Sequence, residues 1–315
     1  MYNIRKTKLM KRDFPSIQSL SNKELESLLT LTKTLKTNRK KYGQDLKGKT
    51  IGLVFQKPSN RTRVSFEVAI WQLGGNCIYL GPDEINLGKR ETTHDVAKTL
   101  SRYLDAIVAR TFTHGDIVEL GKHASVPVIN GLSDLAHPCQ ALADVFSIRE
   151  KFGKQKNITV AYVGDGNNVC HSLMLACVKL GYNIHIASPK GFEPKDSVVQ
   201  LTQKSAHATG AKILITNSPQ EAVQGAQVIY SDVFISMGEE TQGAAKANQF
   251  TGFQVNSGLA KLADKNYIYM HCLPAHRGEE VTADIIDGPH SIVFDQAENR
   301  LHVQKAVLLF LLNKK

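Results

Sequence analysis

Hydroxyl and guanidinium groups are concentrated in one short segment, Ser59-Asn60-Arg61-Thr62-Arg63, between a predicted strand and a predicted helix. The first N–H groups of a helix lack partners within it, and the helix dipole attracts negative charge to that end. Arginine adds paired donors that fit phosphate. The segment therefore indicates a phosphate site, although an ordinary helix cap with exposed arginines uses the same residue types.

Three other segments carry polar side chains at or just after predicted strand ends. In a parallel sheet the ligand crevice lies beyond the carboxyl ends of the strands, so we expect these segments to face one cleft with the turns at Ser59 and Asn168. Taken singly, each has a structural explanation, such as a satisfied buried histidine or thiol. The segments are His137-Pro138-Cys139-Gln140, Asp232 with Ser236-Met237-Gly238, and His271-Cys272-Leu273-Pro274.

The residue types predict what such a cleft does. Guanidinium groups and an imidazole supply donors for a phosphate and an adjacent carbonyl oxygen, from Arg61, Arg63, Arg110 and His137, while the amide of Gln140 both donates and accepts. On the other side, Asp232 suits an ammonium group, and Asn168 with Ser236 suits an amino-acid head group. The sequence offers no Ser–His–Asp order and no paired carboxylates, which favours group transfer over hydrolysis.

A glycine-rich turn, Gly164-Asp165-Gly166, follows another predicted strand and resembles the start of a dinucleotide-binding motif. The third glycine of that motif is replaced by Val169. An NAD-linked dehydrogenase therefore has weak support, and a turn that presents asparagine amides to a small polar ligand fits the same residues.

The elements that must hold these segments alternate between short β-branched runs and helical stretches, which is typical of α/β proteins with parallel sheets. We predict two doubly wound parallel-sheet domains, residues 1–150 and 151–298, linked by a helix that begins near Gln140 and ends at Gly153. An amphipathic C-terminal helix over 296–312 packs back on the first domain, to which we assign 299–315. A capping box predicts an earlier helix after Ser21. The predicted strands are 50–55, 106–110, 126–130, 158–163, 184–187, 212–216, 228–232, 267–271 and 291–294.

Composition excludes several classes of protein. The 315 residues carry a formal charge of +10, and residues 1–49 hold 13 of the Lys and Arg residues against 4 of the Asp and Glu residues, so the excess belongs mainly to the N-terminal segment. No apolar run is long enough to span a bilayer, and the N-terminus lacks a signal-peptide core, which predicts a cytoplasmic protein. Five cysteines without a Cys-x-x-Cys pair suggest neither a disulfide framework nor structural zinc.

Together these motifs resemble the ornithine carbamoyltransferase family, and the likeness covers essentially the whole chain. The segment at Ser59 is similar to the family's Ser-Thr-Arg-Thr-Arg motif, and the segment at His137 to its His-Pro-x-Gln. The Ser236 and His271 segments are similar to its ornithine loop and its His-Cys-Leu-Pro motif. The resemblance implies that the side-chain amine of L-ornithine attacks carbamoyl phosphate, giving citrulline and phosphate.

The resemblance also implies roles for individual residues. Catalytic roles fall to Arg61, Arg110, His137, Gln140, Asp232 and Cys272. Ornithine binding falls to Asn168, Asp232, Ser236 and Met237. Carbamoyl-phosphate binding falls to Ser59, Asn60, Arg61, Thr62, Asn86, Arg110, His137, Gln140, Cys272, Leu273 and Arg300. The family needs no metal and no organic cofactor, and it forms homotrimers or assemblies of trimers, so we expect the same here.

Two residues depart from the family pattern. Asn60 stands where Thr is usual, which replaces a hydroxyl by an amide. Asn86 stands where Gln is usual, on a loop that in the family reaches the site of a neighbouring subunit. Because the side chain is one methylene shorter, we expect somewhat weaker binding of carbamoyl phosphate.

The main competing interpretation within the superfamily is another acceptor, such as putrescine, acetylornithine or aspartate, although Ser236-Met237-Gly238 favours free ornithine. From other classes, the dehydrogenase would rest on the glycine turn alone. A nucleic-acid-binding protein would rest on the net charge, but the chain lacks an aromatic-rich basic motif of the known modules. We therefore expect no nucleic-acid and no membrane partner. The sequence leaves open whether the enzyme serves arginine synthesis or breakdown.

Overall fold

The computed structural model describes residues 11–38, 41–88, 90–235 and 243–313. A short 3₁₀ helix spans Ile17–Ser19. The strands are β1 (Thr50–Phe55), β2 (Asn76–Leu80), β3 (Ala106–Arg110), β4 (Val128–Leu132), β5 (Thr159–Val163), β6 (Asn183–Ala187), β7 (Ile213–Thr216), β8 (Val228–Ser231) and β9 (Ile268–His271). The helices are α1 (Asn22–Thr37), α2 (Asn60–Gln72), α3 (Pro82–Ile85), α4 (Thr93–Leu100), α5 (His114–His123), α6 (Pro138–Phe152), α7 (Asn168–Lys179), α8 (Asp196–His207), α9 (Pro219–Val223), α10 (Gly243–Gln249), α11 (Ser257–Ala260), α12 (Ala283–Ile286) and α13 (Val293–Leu312).

The strands form two parallel sheets, in the orders β2-β1-β3-β4 and β7-β6-β5-β8-β9. This confirms the predicted fold class of two parallel-sheet α/β units. In each sheet the strand order changes direction once, between β1 and β3 and between β5 and β8. The carboxyl ends of the strands diverge at such a switch point and leave a crevice for a ligand.

One predicted strand was wrong, one strand was missed and one was displaced along the chain. The run 291–294 is not a strand, because Ser291 forms only an isolated bridge to Tyr269 and α13 begins at Val293. Strand β2, an edge strand with a mixed burial pattern, was missed although it contains the apolar run Cys77-Ile78-Tyr79-Leu80. The predicted strand 126–130 lies two residues too early, because Pro127 has no N–H to donate to a ladder.

The helix signals in the sequence are confirmed at α1 and α6. At the start of α1 the Ser21 hydroxyl accepts from the Glu24 N–H at 3.2 Å, and the Glu24 carboxylate accepts from the Ser21 N–H at 2.8 Å. Helix α6 begins one residue after His137 and ends at Gly153, whose φ of 67° glycine adopts without strain. The chain passes from the first sheet to the second through α6.

Helix α13 packs against α6, α1 and α2 and also touches β9. It returns to the first sheet as expected, but it is buried on nearly all sides rather than amphipathic, and its buried residues include Gln296, Asn299, Arg300 and Lys305. Buried polar groups are costly unless they find partners, so these side chains must meet complementary groups on neighbouring elements. The helix is thus a polar connection between the two sheets as well as an apolar one.

Part of the N-terminal positive charge is used in ion pairs. Lys11 pairs with Asp13 at 2.9 Å, Lys36 pairs with Glu150 at 2.8 Å, and Arg12 pairs with Glu24. The Arg12 hydrogen bond lowers the pKa of the Glu24 carboxyl to about 2. These contacts give three of the N-terminal basic residues carboxylate partners within the protein. Among the described residues, no helix combines the length and the apolar character needed to cross a bilayer.

We predict that the inner face of α13 carries much of the stability. Leu308→Ala should lower the free energy of unfolding by about 2–5 kcal/mol, because Leu308 is fully buried and the substitution leaves a cavity. The matched control is Phe294→Ala in the same helix, where the side chain is 72% exposed and the change should stay within about 0.5 kcal/mol. Denaturant titration at fixed protein concentration measures both, and equal losses would contradict this account.

Candidate active site

A cleft of about 1080 Å³ lies at the carboxyl ends of the strands and is reached from both switch points. Residues that follow β1, β5 and β8 line it together with the last residue of β3, as expected for parallel sheets. Of the residues predicted from the sequence, the cleft is lined by Ser59, Asn60, Arg61, Thr62, Arg110, His137, Asn168, Asp232, Cys272, Leu273 and Arg300.

The turn between β1 and α2 presents the start of a helix to the cleft. Ser59 is the N-cap of α2, and its hydroxyl accepts from the Thr62 N–H at 3.3 Å. Arg61 lines the cleft, whereas Arg63 is exposed, pairs with Glu67 at 2.9 Å and lies over the Tyr79 ring at 3.7 Å. The two arginines of the motif therefore have different surroundings, and only Arg61 is directed to the cleft.

Two buried guanidinium groups join Arg61 on this wall. Arg300 donates to the Thr62 hydroxyl at 2.6 Å, and Arg110 approaches the same oxygen at 3.5 Å. Burial, followed by the positive charges of Arg300 and Arg61, lowers the pKa of Arg110 to about 10. Within the described part of the chain, none of the three arginines forms an ion pair with a carboxylate. The wall therefore favours a bound anion, which would offset the repulsion among these cations.

His137 lies beside these arginines at the start of α6. Its backbone N–H donates to the Ser172 hydroxyl at 2.8 Å, and its Nδ1 has no hydrogen-bond partner among the described residues. Burial, with the nearby arginine charges, lowers the pKa of His137 well below its usual value. The imidazole is therefore neutral at pH 7 and can donate one N–H to a ligand oxygen.

Gln140 is buried behind Arg300. Its Oε1 accepts from Arg300 Nη1 at 3.1 Å, and its Nε2 donates to Asp144 Oδ1 at 2.9 Å. The predicted residue is thus close to the cleft, but in this structure its carbonyl oxygen holds an arginine. Gln140 supports the guanidinium wall from behind.

A carboxylate and a thiol face the cleft from the second sheet. Cys272 donates from Sγ to Asp232 Oδ1 at 2.9 Å, and Asn167 Nδ2 donates to Asp232 Oδ2 at 2.8 Å. Burial, followed by the Asp232 charge, raises the pKa of the Cys272 thiol well above its usual value. The thiol stays protonated at neutral pH, so it acts as a donor and not as a nucleophile.

The other predicted residues fall in different places. Asn168 begins α7, and its side chain donates to the Ser133 carbonyl at 2.6 Å. This hydrogen bond connects the segment after β4 to the segment after β5 at the cleft. Asn86 is exposed at the end of α3, in a left-handed conformation with a φ of 39°. Ser236 and Met237 lie outside the described residues.

The glycine turn has a structural role. A Cβ on Gly166 would lie 2.3 Å from Pro194 N and 2.4 Å from Glu193 C, so glycine is needed for close contact with that loop. At the start of α7 the Asn167 side chain accepts from the N–H groups of Val169 and Cys170. A neighbouring loop and a side-chain cap thus occupy the positions that a pyrophosphate would need, which argues against the dehydrogenase.

Two groups of described residues have ligand atoms close enough for a metal ion, namely Asp232, His271 and Cys272, and His276, Glu279 and Glu280. In the first group, hydrogen bonds already engage Asp232, Cys272 and one nitrogen of His271, whereas His271 Nε2 has no hydrogen-bond partner among the described residues. The Cys272 thiol donates to Asp232, His271 Nδ1 accepts from the Leu273 N–H at 2.9 Å, and His271 Nε2 lies 3.2 Å from Glu280 Oε1.

Sequence reasoning missed several residues around the cleft. Asn167 orients Asp232, and His171 is held between the Leu135 carbonyl and the Lys195 N–H at 3.0 and 3.1 Å. His171 lies four residues after Asn167, and Asp144 lies four residues after Gln140. This spacing places each pair on one helix face, but it does not show what either second residue contacts.

Comparisons with known proteins agree with this geometry. The family model for the carbamoyl-P binding domain of aspartate/ornithine carbamoyltransferases matches residues 12–150, and the model for the Asp/Orn binding domain matches residues 156–311. An ornithine carbamoyltransferase of Thermococcus kodakarensis is 52% identical over 299 residues, covering 94% of this chain and 95% of that protein. One from Bacillus subtilis is 50% identical over 314 residues, covering 100% and 98%. The solved ornithine carbamoyltransferase of Pyrococcus furiosus superposes with a TM-score of 0.94 at 49% identity, covering 98% and 99%.

We predict that the guanidinium wall binds inorganic phosphate. Arg61→Gln should weaken binding roughly 10- to 100-fold, as expected when a charge-assisted hydrogen bond is lost. Arg63→Gln, in the same motif but paired with Glu67, is the matched control and should bind as the wild type does. Calorimetric titration at constant ionic strength measures both, and equal affinities of the two variants would count against this assignment.

Proposed function

The chain belongs to the aspartate/ornithine carbamoyltransferase family, and we propose from this premise that it transfers the carbamoyl group of carbamoyl phosphate to the side-chain amine of L-ornithine. The products are L-citrulline and phosphate. One observation supports this most directly. Three arginines without carboxylate partners among the described residues line one wall of a cleft, and a carboxylate–thiol pair lines the other.

In this proposal carbamoyl phosphate lies against the first wall. Its phosphate is held at the start of α2 and by the guanidinium groups, and its carbonyl oxygen receives hydrogen bonds from Arg110, His137 and Arg300. Because His137 is neutral, it stabilises the developing oxyanion as a hydrogen-bond donor and not as a cation. Asn86, Gln140 and Leu273 are proposed to complete the site. The phosphate contacts are Ser59, Asn60, Arg61, Thr62 and Arg110.

Ornithine is proposed to lie against the second wall. Asp232 and Asn168 bind its amino-acid part together with Ser236 and Met237, and its side-chain amine lies beside Cys272. The carboxylate of Asp232 suits an ammonium group, and the protonated thiol of Cys272 gives the wall a further donor. This arrangement directs the amine toward the carbonyl carbon held by the first wall.

The reaction then needs little beyond positioning and charge stabilisation. The neutral amine nitrogen forms a bond to the carbonyl carbon, and the carbonyl electron pair moves onto oxygen, where the donors of the first wall stabilise it. The intermediate collapses when the electron pair on oxygen re-forms the carbonyl bond and the bond from carbon to the phosphate oxygen breaks. Phosphate leaves with the electron pair of that bond and takes up the proton that the amine nitrogen loses. Holding both reactants in line supplies much of the acceleration.

We further propose that residues 1–150 together with residues 299–315 hold carbamoyl phosphate and that residues 151–298 hold ornithine. A homotrimer, or an assembly of trimers, is proposed as the working form. It is supported by the exposed face of α2, where Trp71 is 63% exposed beside Val64, and by the edge strand β2. We still expect Asn86 to weaken the binding of carbamoyl phosphate. A cytoplasmic location also stays a prediction.

The acceptor is tested by measuring carbamoylated product from carbamoyl phosphate with ornithine, putrescine, acetylornithine and aspartate in parallel. We expect citrulline from ornithine at the highest kcat/KM. Asp232→Asn, which removes the charge proposed to bind the ammonium group, should lower kcat/KM for ornithine roughly 10- to 100-fold. Faster product formation from another acceptor, or none from ornithine, would refute the proposal.

A further inference from the structure

A buried carboxylate behind the cleft has no part in the chemistry described above. Asp144 lies on α6 with no exposed surface. Its Oδ1 accepts from Gln140 Nε2 at 2.9 Å and from Gln296 Nε2 at 2.7 Å, and its Oδ2 lies 3.4 Å from the Tyr230 hydroxyl. One oxygen atom is therefore the shared acceptor of two side-chain amides that come from different helices.

The far ends of the two amides lead to opposite walls of the cleft. Gln140 Oε1 accepts from Arg300 at 3.1 Å, on the guanidinium wall. Gln296 Oε1 accepts from the His271 N–H at 2.9 Å, immediately before Cys272 on the other wall. An amide has its donor and acceptor on different atoms, so binding NH2 to Asp144 points each carbonyl oxygen away from it. Without the shared acceptor, either amide could turn and present NH2 to a donor.

We propose that Asp144 is a positioning residue for carbamoyl transfer, which fixes through Gln140 and Gln296 the orientation of Arg300 and of the segment that carries Cys272. This inference rests on the proposed function. It makes the two walls of the cleft depend on one atom between them, Asp144 Oδ1. A change at this buried position should therefore alter the kinetic constants although the residue is not exposed to the cleft.

The role depends on an acceptor atom and not on full negative charge. Burial raises the pKa of the Asp144 carboxyl to about 7, although the hydrogen bonds from the two amides and the charge of Arg300 act to lower it. The other titratable groups that face it are Tyr230, Cys177 and Cys272. If a proton binds at Oδ2, toward Tyr230, Oδ1 still accepts from both amides. The same reasoning predicts that asparagine can replace the carboxylate, with its oxygen at Oδ1.

The experiment compares Asp144→Leu with Asp144→Asn in the full chain. The leucine variant has no acceptor, so we expect a higher KM for carbamoyl phosphate, a lower kcat and a combined loss of roughly 10- to 100-fold in kcat/KM. The asparagine variant should recover most of this loss.

Ser147→Ala is the control for a structural effect. Ser147 lies one turn further along α6 and accepts from Asn299 Nδ2 on α13 at 2.9 Å, without a link to Gln140 or Gln296.

Ser147→Ala should lower the thermal midpoint while kcat and both KM values stay at wild-type levels. Wild-type kinetic constants in Asp144→Leu, or equal losses in the leucine and asparagine variants, would overturn the inference. If Asp144→Leu does not fold, the deciding variant is Gln296→Met. We expect this variant to have a lower kcat and an unchanged KM for carbamoyl phosphate. A wild-type kcat would contradict the inference. Absence of citrulline in the wild type would instead refute the proposed function.

Discussion

The structure depends on a group of arginines gathered where no described carboxylate forms an ion pair with them. Burying cations without counterions costs several kcal/mol each, so a site of this kind persists only when the rest of the fold holds it together. Here Arg110 ends a central strand, Arg61 begins a helix and Arg300 comes from the last helix. The Thr62 hydroxyl lies within hydrogen-bonding reach of both buried guanidinium groups. The positive charge that remains is the property from which anion binding follows.

The same topological feature occurs in both sheets and places side chains on both walls of the cleft. Each parallel sheet reverses its strand order once, and the cleft lies at both reversals. The first reversal gives Arg61 and Arg110, and the second gives Asp232, with Cys272 following the neighbouring strand β9. Helix α13 touches β9 and also packs against α6 and α2. It brings polar side chains from the end of the chain into the space between the sheets.

Much of the site could be predicted because parallel sheets gather strand ends at one edge. The segments at Ser59, His137 and His271 lie at the cleft for this reason. Arg300 was assigned by resemblance, since nothing local in a helical segment shows that it reaches a distant cleft. The sequence also misled at 291–294, where β-branched residues begin a helix. Asp144 was missed because its importance comes from contacts with α13 and β8, which only tertiary packing creates.

A crystal structure with inorganic phosphate and ornithine bound would show whether the two walls of the cleft hold the two substrates as proposed. The account predicts phosphate oxygens within hydrogen-bond distance, about 2.7–2.9 Å, of Arg61 and Arg110, with the side-chain amine of ornithine beside Cys272. The amino-acid end of ornithine should lie toward Asp232 and Asn168. Phosphate bound away from the guanidinium wall, or ornithine in the reverse orientation, would contradict it.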